Sequence, residues 1–272
     1  MSPPDPRRLS LNQVTTQNWG MAETIDGCAR AGLGWIGLWR GKVDEIGLGE
    51  TARRLRRADL QVSSLCRGGF FPAASERERL ERIDENRRAV DEAAELAAPV
   101  LVLVCGPAPD RDLDGARRMV EDGICALLPY AAERGVRMAI EPLHPMFAGD
   151  RSVIVTLAQA NAMAERIASQ FVGVAVDVYH VWWDPDVYIQ IARAGSNILG
   201  LHLSDWLVPP PDHVLGRGLP GDGVIELRRL RGAVEAAGYA GPIEVEIFNQ
   251  QVWDTPGDEV LALIKERFLA HC

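Results

Sequence analysis

Cysteine is scarce and unpaired in this chain: Cys28, Cys66, Cys105, Cys125 and Cys272 are odd in number and far apart. That spacing excludes a zinc ribbon or a disulfide framework and predicts reduced thiols, with Cys66 and Cys105 read as buried small hydrophobes. Positive charge is in deficit, with 29 Lys and Arg against 38 Asp and Glu and a net charge of −9. Nucleic-acid binding rests on basic side chains that neutralise phosphates, so no nucleic-acid partner is expected. Long apolar runs and a charged-then-apolar leader are both missing, so no membrane partner is expected and the expected location is cytoplasmic. A phosphate-binding glycine loop is not evident late in the chain, which favours an unphosphorylated small-molecule substrate. Residues 1–8 are polar and proline-rich and are expected to be frayed. No linker divides the remainder, so residues 9–272 read as one domain.

What is present is a repeat. About every thirty residues a short β-branched run is followed by a polar loop, an amphipathic stretch and a glycine turn. The runs span residues 9–14, 35–39, 61–66, 100–104, 137–141, 172–177, 198–202 and 243–247. Several are apolar throughout, as parallel strands covered on both faces tend to be. Helical spacing marks residues 77–96, 116–133 and 157–168, and Gly32, Gly135 and Gly238 stand where left-handed helix caps would let the chain reverse. Alternating strands and helices imply parallel pairing through right-handed crossovers. An open doubly wound sheet would carry a G-x-G-x-x-G loop after its first strand, and residues 12–20 hold none. The predicted fold is therefore a single (β/α)8 TIM barrel.

In such a barrel the site lies at the carboxyl ends of the strands. Four consecutive predicted strands end in metal-binding side chains: Glu141, Asp177, His202 and Glu246. A carboxylate after three apolar strand residues is costly to bury unless something positive meets it. Three carboxylates and one imidazole suit one divalent ion with open water positions; Mn²⁺ is the first expectation, with Mg²⁺ and Co²⁺ as alternatives. Glu244 shares strand parity with Glu246 and is expected to pair with a buried cation one layer down.

At these strand ends the sequence resembles the xylose isomerase-like barrel superfamily of sugar isomerases and epimerases. Glu141-Pro142-Leu143, Asp177-Val178-Tyr179-His180, His202 and Glu246 match its metal-holding segments. Arg217-Gly218-Leu219-Pro220-Gly221-Asp222-Gly223 matches its loop after strand seven, and residues 238–242 match the lead into its last strand. Ketose 3-epimerases, hydroxypyruvate isomerase and inosose-processing enzymes look similar. The same barrel resembles the abasic-site repair enzyme endonuclease IV, but five histidines and an acidic balance do not suit its three-zinc cluster and basic surface. Ketose 3-epimerases carry Asn where this chain has His144 and a second Glu where it has Phe147. That departure resembles the branch of C-deglycosidase catalytic subunits and lyases acting on 3-oxo-glycosides.

The resemblance implies proton abstraction next to a carbonyl of a sugar or oxo-sugar, through an enediolate. Glu141 and Glu246 are the expected catalytic pair, with His144 as an extra base near operating pH. His180 is expected to bind a substrate oxygen and Arg217 the distal end of the substrate. Trp19, Trp39, Trp182, Trp183, Trp206 and Phe248 are candidates for apolar walls, with Trp39, Trp206 and Phe248 taken as substrate-binding. Asp205 is expected to orient His202 from behind. In a lyase the same carbanion would expel a β-substituent, with a second small subunit as partner. A catalytically inactive sugar-binding barrel is the third reading. Such barrels often pair, so a homo-oligomer is also expected.

Overall fold

Eight short runs, too apolar to leave either face in water, can satisfy their backbone only against one another, and they close into a ring. The computed structural model describes residues 3–272. Its barrel strands are β1 (Leu9–Asn12), β2 (Trp35–Trp39), β3 (Gln61–Gly69), β4 (Val100–Val104), β5 (Arg137–Ile140), β6 (Val172–Asp177), β7 (Ile198–Leu203) and β8 (Ile243–Val245). They pair in parallel in sequence order, and β1 closes the ring against β8. The principal outer helices are α1 (Met21–Ala31), α2 (Leu48–Arg57), α3 (Glu76–Glu95), α4 (Leu113–Glu133), α5 (Leu157–Ile167), α6 (Val187–Ala194), α7 (Leu227–Ala236) and α8 (Gly257–His271). The chain is a single (β/α)8 TIM barrel, as the repeat predicts. A two-residue antiparallel ribbon, Asp205–Trp206 against Arg217–Gly218, is added after β7.

Local chemistry sets the helix ends. Ser75, Asp112 and Thr156 cap α3, α4 and α5 by accepting from the amides of Glu78, Gly115 and Gln159. The predicted stop glycines Gly32, Gly135 and Gly238 all have positive φ. The larger apolar cluster lies between sheet and helices, whereas Val100, Ala139, Ala175 and Leu199 form a separate small one. Strand parity then matters: Glu141 and Asp177 stand two residues beyond Ala139 and Ala175, at the carboxyl ends of the same inward rows.

Several expectations change. Within the segment expected to be frayed, Pro6–Arg8 forms a 3-10 turn capped by Asp5. Arg8 is anchored by an ion pair with Glu235 at 2.5 Å and a bond to the Gly241 carbonyl at 2.8 Å. Met1 and Ser2 lie outside the described residues. Strand β3 runs on from the predicted end at Cys66 to Gly69, with a register shift between Cys66 and Gly68. The cysteines are free and all but Cys125 are buried, although Cys66 also lines the central cavity. Among the described residues no helix is long and apolar enough to cross a membrane.

One hydroxyl extends the β1–β8 closure past its backbone ladder. Thr15, fully buried, donates to the Val245 carbonyl and accepts from the Ile247 amide, each at 2.9 Å, and so brackets Glu246. Thr15→Val keeps the shape but leaves both backbone groups unpaired. Urea unfolding of this variant is expected to show a loss of about 1–3 kcal/mol; an unchanged midpoint would show that the hydroxyl does not hold the closure.

Candidate metal centre

Each of the four strand-end side chains is placed by backbone pairing. The Glu141 amide donates to the Leu103 carbonyl at 3.2 Å and the Glu246 amide to that of Leu203 at 2.9 Å, extending β5 and β8 by hydrogen bonds past their regular ends. Asp177 ends β6 opposite His202, and His202 stands opposite Glu244. Asp177 also accepts from the Tyr179 amide at 2.8 Å, capping the helical turn Val178–Val181 that carries His180. All four side chains are buried and converge. Ligand atoms of Glu141, Asp177 and His202 lie within 4.8 Å of one another. Nδ1 of His202 is 3.2 Å from Glu141 and 3.9 Å from Glu246.

Arg217 fills the space between the carboxylates rather than the distal position predicted for it. Its Nη1 donates to Asp177 at 2.9 Å and to Glu246 at 2.8 Å, and its Nη2 lies 3.1 Å from His180 Nε2. Tyr179 and Phe248 cover its faces at 4.6 and 4.9 Å. The Asn249 amide, donating to the Arg217 carbonyl at 2.9 Å, fixes the backbone beneath it. His180 accepts at Nδ1 from the His144 amide at 3.1 Å. Burial drops the His180 imidazole to about 3, with Arg217 pushing the same way against Asp177, so the ring is neutral.

The charges are out of balance. Glu141, Asp177, Glu244 and Glu246 are buried together with one guanidinium and His202. Burial acts to raise the Asp177 carboxyl, but Arg217 and His202, with the Tyr179 amide that donates to it, hold it below its usual range. Glu246 goes the other way: burial pushes it up to about 8 despite Arg217 and His202. Burial opposes the His202 imidazolium, yet Glu244, Glu141 and Glu246 raise it well above its ordinary value. Neither ring nitrogen of His202 makes a well-formed hydrogen bond, the short approach to Glu141 being poorly aligned. A buried imidazole with no aligned partner, facing hard oxygen donors, is a donor set that fits a divalent cation.

The residue behind His202 is not the one predicted. Asp205 is buried but accepts from the amides of Trp206, Gly221 and Ile225, at 2.9, 2.9 and 3.0 Å, and so organises the loop after β7. Glu244 takes the orienting position instead, 3.7 Å from His202 Nε2, and no Lys or Arg pairs with it among the described residues. Its other partner is Asn12, which donates at 2.9 Å and accepts from Trp39 Nε1 at 2.8 Å. Gly37 makes this possible, since a Cβ there would stand 2.1 Å from the Glu244 carboxylate. Sequence parity placed Glu244 inside the barrel; the cross-barrel identity of its partner was beyond it.

The cavity above these groups has a volume of about 280 Å³ and is lined by Glu141, His180, Arg217 and Glu246, with Trp39, Phe248, Phe70 and Phe147 among its apolar walls. Trp39 and Phe248 thus stand where predicted. Trp206 does not line it: it stacks on Tyr179, Trp182 and His144 outside, with ring centroids 4.8, 5.5 and 5.2 Å away. The His144 ring is likewise held in that stack, accepting from the Met146 amide at 3.2 Å, and is not among the lining side chains. The predicted extra base is instead a packing group whose backbone orients His180. Trp19 packs close to Gly27 and Gly257 on α1 and α8, and Trp183 donates to the His180 carbonyl at 2.8 Å. Arg67 and Arg151, which the sequence did not single out, also line the cavity.

Comparison with known proteins agrees with this architecture. A crystal structure of protein SMc04130 from Sinorhizobium meliloti 1021 matches at 51% identity with a TM-score of 0.96, covering 98% of this chain and 99% of that one. The inosose isomerase of Halalkalibacterium halodurans is 23% identical over 273 residues, covering 95% of this chain and 94% of the relative. The IolI protein, whose crystal structure contains a zinc atom, shares the fold with a TM-score of 0.87 at 20% identity, over 97% of both chains. The family model for the xylose isomerase-like TIM barrel matches residues 25–267, and the chain belongs to that family.

Proposed function

We propose that this protein is a divalent-metal-dependent isomerase or epimerase that acts on a sugar-like carbonyl compound. The observation that carries the reading is the buried cluster of Glu141, Asp177 and His202, with Glu246 3.9 Å from His202 beside it and more buried negative charge than Arg217 and His202 offset. Those four side chains would hold the ion, and Mn²⁺ suits their mixture of oxygen donors and imidazole, with Mg²⁺ and Co²⁺ close behind. When bound, it would supply Lewis-acid stabilisation of the negative charge that develops on the substrate carbonyl oxygen. The similarity to an inosose isomerase along nearly the whole chain supports a polyhydroxylated carbonyl substrate.

The protein side of the chemistry follows from the groups around the cavity. Glu141 and Glu246 both line it, so one carboxylate removes the proton next to the carbonyl and the other returns it. Trp39 and Phe248 pack edge to face with ring centroids 5.7 Å apart and keep water from that end. Neutral His180, whose Nε2 stands 3.1 Å from Arg217 Nη2, would offer that nitrogen to a substrate oxygen once Arg217 shifts. Arg217 must leave at least one of its two carboxylates as the centre fills, and Tyr179 and Phe248 give its guanidinium a surface on which to pivot.

Purified protein is expected to take up close to one divalent ion per chain, measured by elemental analysis after Mn²⁺ loading. Glu141→Gln should abolish stoichiometric uptake, and Glu244→Gln should weaken it by about 10–100-fold, as loss of an outer partner of a ligating histidine does. A wild-type protein that binds no divalent ion would end the proposal. Incubated with free ketoses in D₂O, the loaded enzyme should place deuterium next to the carbonyl, and Glu246→Gln should lower that rate by about 10²–10⁴. Release of an aglycone from a 3-oxo-glycoside without exchange into a ketose would replace epimerisation by elimination.

A further inference from the structure

Two of the three arginines that line the cavity, Arg67 and Arg151, have no function in the chemistry above. Arg67 is the extra residue in β3: Cys66 pairs with Val102 and Gly68 with Leu103, so Arg67 has no partner in the ladder. A bulge of this kind re-aims a side chain, and here Arg67 lines both the central cavity and an adjoining groove of about 690 Å³. The bulge is built rather than loose. Buried Asn86 of α3 accepts from the Gly69 amide at 2.6 Å and donates to the Gly69 carbonyl at 2.8 Å. Gly69 has φ of 104° and its Cα lies so close to β4 that a Cβ would stand 2.0 Å from the Val104 carbonyl oxygen.

Arg67 is solvent-exposed as a residue, and among the described residues no carboxylate pairs with it. Its guanidinium carbon stands 4.1 Å from the Phe70 ring centroid, and among the described residues its N–H groups meet no hydrogen-bond partner. Arg151 repeats the arrangement on Phe147 at 5.0 Å, with only a loose ion pair to Asp150 at 3.7 Å. Its backbone is tied to the end of β4 by the Gly106 amide, which donates to the Arg151 carbonyl at 2.9 Å. Partial burial lowers the Arg67 guanidinium from its ordinary value, and Arg151, Arg40 and Arg82 push the same way. Arg40 is engaged by Glu85 and Glu92, and Glu85 also lines the groove. Two arginines that line one cavity with donors no close carboxylate takes call for an anion.

We propose that the substrate carries a fixed negative charge, a carboxylate or a phosphate ester, distal to its reacting carbonyl, and that Arg67 and Arg151 receive it. This rests on the sugar reading of the same cavity and narrows it to anionic sugars; of the two anions, the phosphate ester goes against the unphosphorylated substrate that the absent glycine loop favours. A guanidinium set against a ring, with its donors untaken, suits either oxyanion.

Isothermal titration of the Mn²⁺-loaded chain with D-fructose, D-fructuronate and D-fructose 6-phosphate tests it, because the three differ only at the end far from the carbonyl. At least one anion should bind about tenfold more tightly than D-fructose, the scale of one charge-assisted hydrogen bond, and its affinity should fall with added NaCl. Which anion wins identifies the group. Arg67→Gln should bring the ratio of anion to D-fructose affinity close to one, Arg67→Lys should keep part of it, and Arg151→Gln should reduce it. A ratio near one in the wild type, or one that Arg67→Gln leaves intact, overturns the anionic subsite while the sugar reading stands. If none of the three binds, the sugar reading falls and the subsite with it.

Discussion

Four carboxylates buried within one barrel mouth are the constraint on which the rest of the structure depends. Taken out of water, each is costly unless something positive is close by. The chain itself supplies one guanidinium and one imidazole, and the strain of the remainder is visible in Glu246, pushed up to about 8, beside an Asp177 held below its usual range. A barrel can tolerate this because its strands are tied to one another on both sides and the backbone beneath the charges cannot collapse away from them. Function is where a fold accepts such local costs.

Much of the surrounding structure makes sense as support for those charges. Thr15 fixes the backbone on either side of Glu246. Trp39, Asn12 and Glu244 form a hydrogen-bonded line that ends behind His202, and Gly37 leaves room for it. Arg217 is held by Asn249 below and two aromatic faces, so the cation nearest the centre has a defined position without a rigid one. Arg67 and Arg151 also line the cavity, each set against a phenyl ring, at 4.1 Å from Phe70 and 5.0 Å from Phe147. The cavity thus carries acidic, basic and aromatic groups together, Trp39 and Phe248 among the last.

The misplaced expectations share a cause. Asp205, His144 and Trp206 all follow strands and all carry chemistry-bearing side chains, so they sat naturally in a sequence-based site. Each belongs to a segment that has already left the barrel ladder, where strand parity no longer says which way a side chain points. Asp205 turns to the amides of its own loop, and His144 and Trp206 stack on each other. Arg67 was overlooked for the converse reason: the predicted strand stopped at Cys66, whereas the ladder runs on to Gly69 around a bulge that leaves Arg67 without a partner.

The sequence by itself determined the closed eight-stranded barrel and its membership of a family, and it picked out the strand-end residues Glu141, Asp177, His202 and Glu246 as candidates. Period-two and period-3.6 patterns, glycine stops and strand-end carboxylates are local signals that survive without coordinates. Only the tertiary structure decided which groups lie behind those four, where the arginines point and which aromatics reach the cavity. These depend on contacts between residues more than two hundred positions apart, such as Asn12 with Glu244, and on bulges and loops whose direction no local pattern encodes.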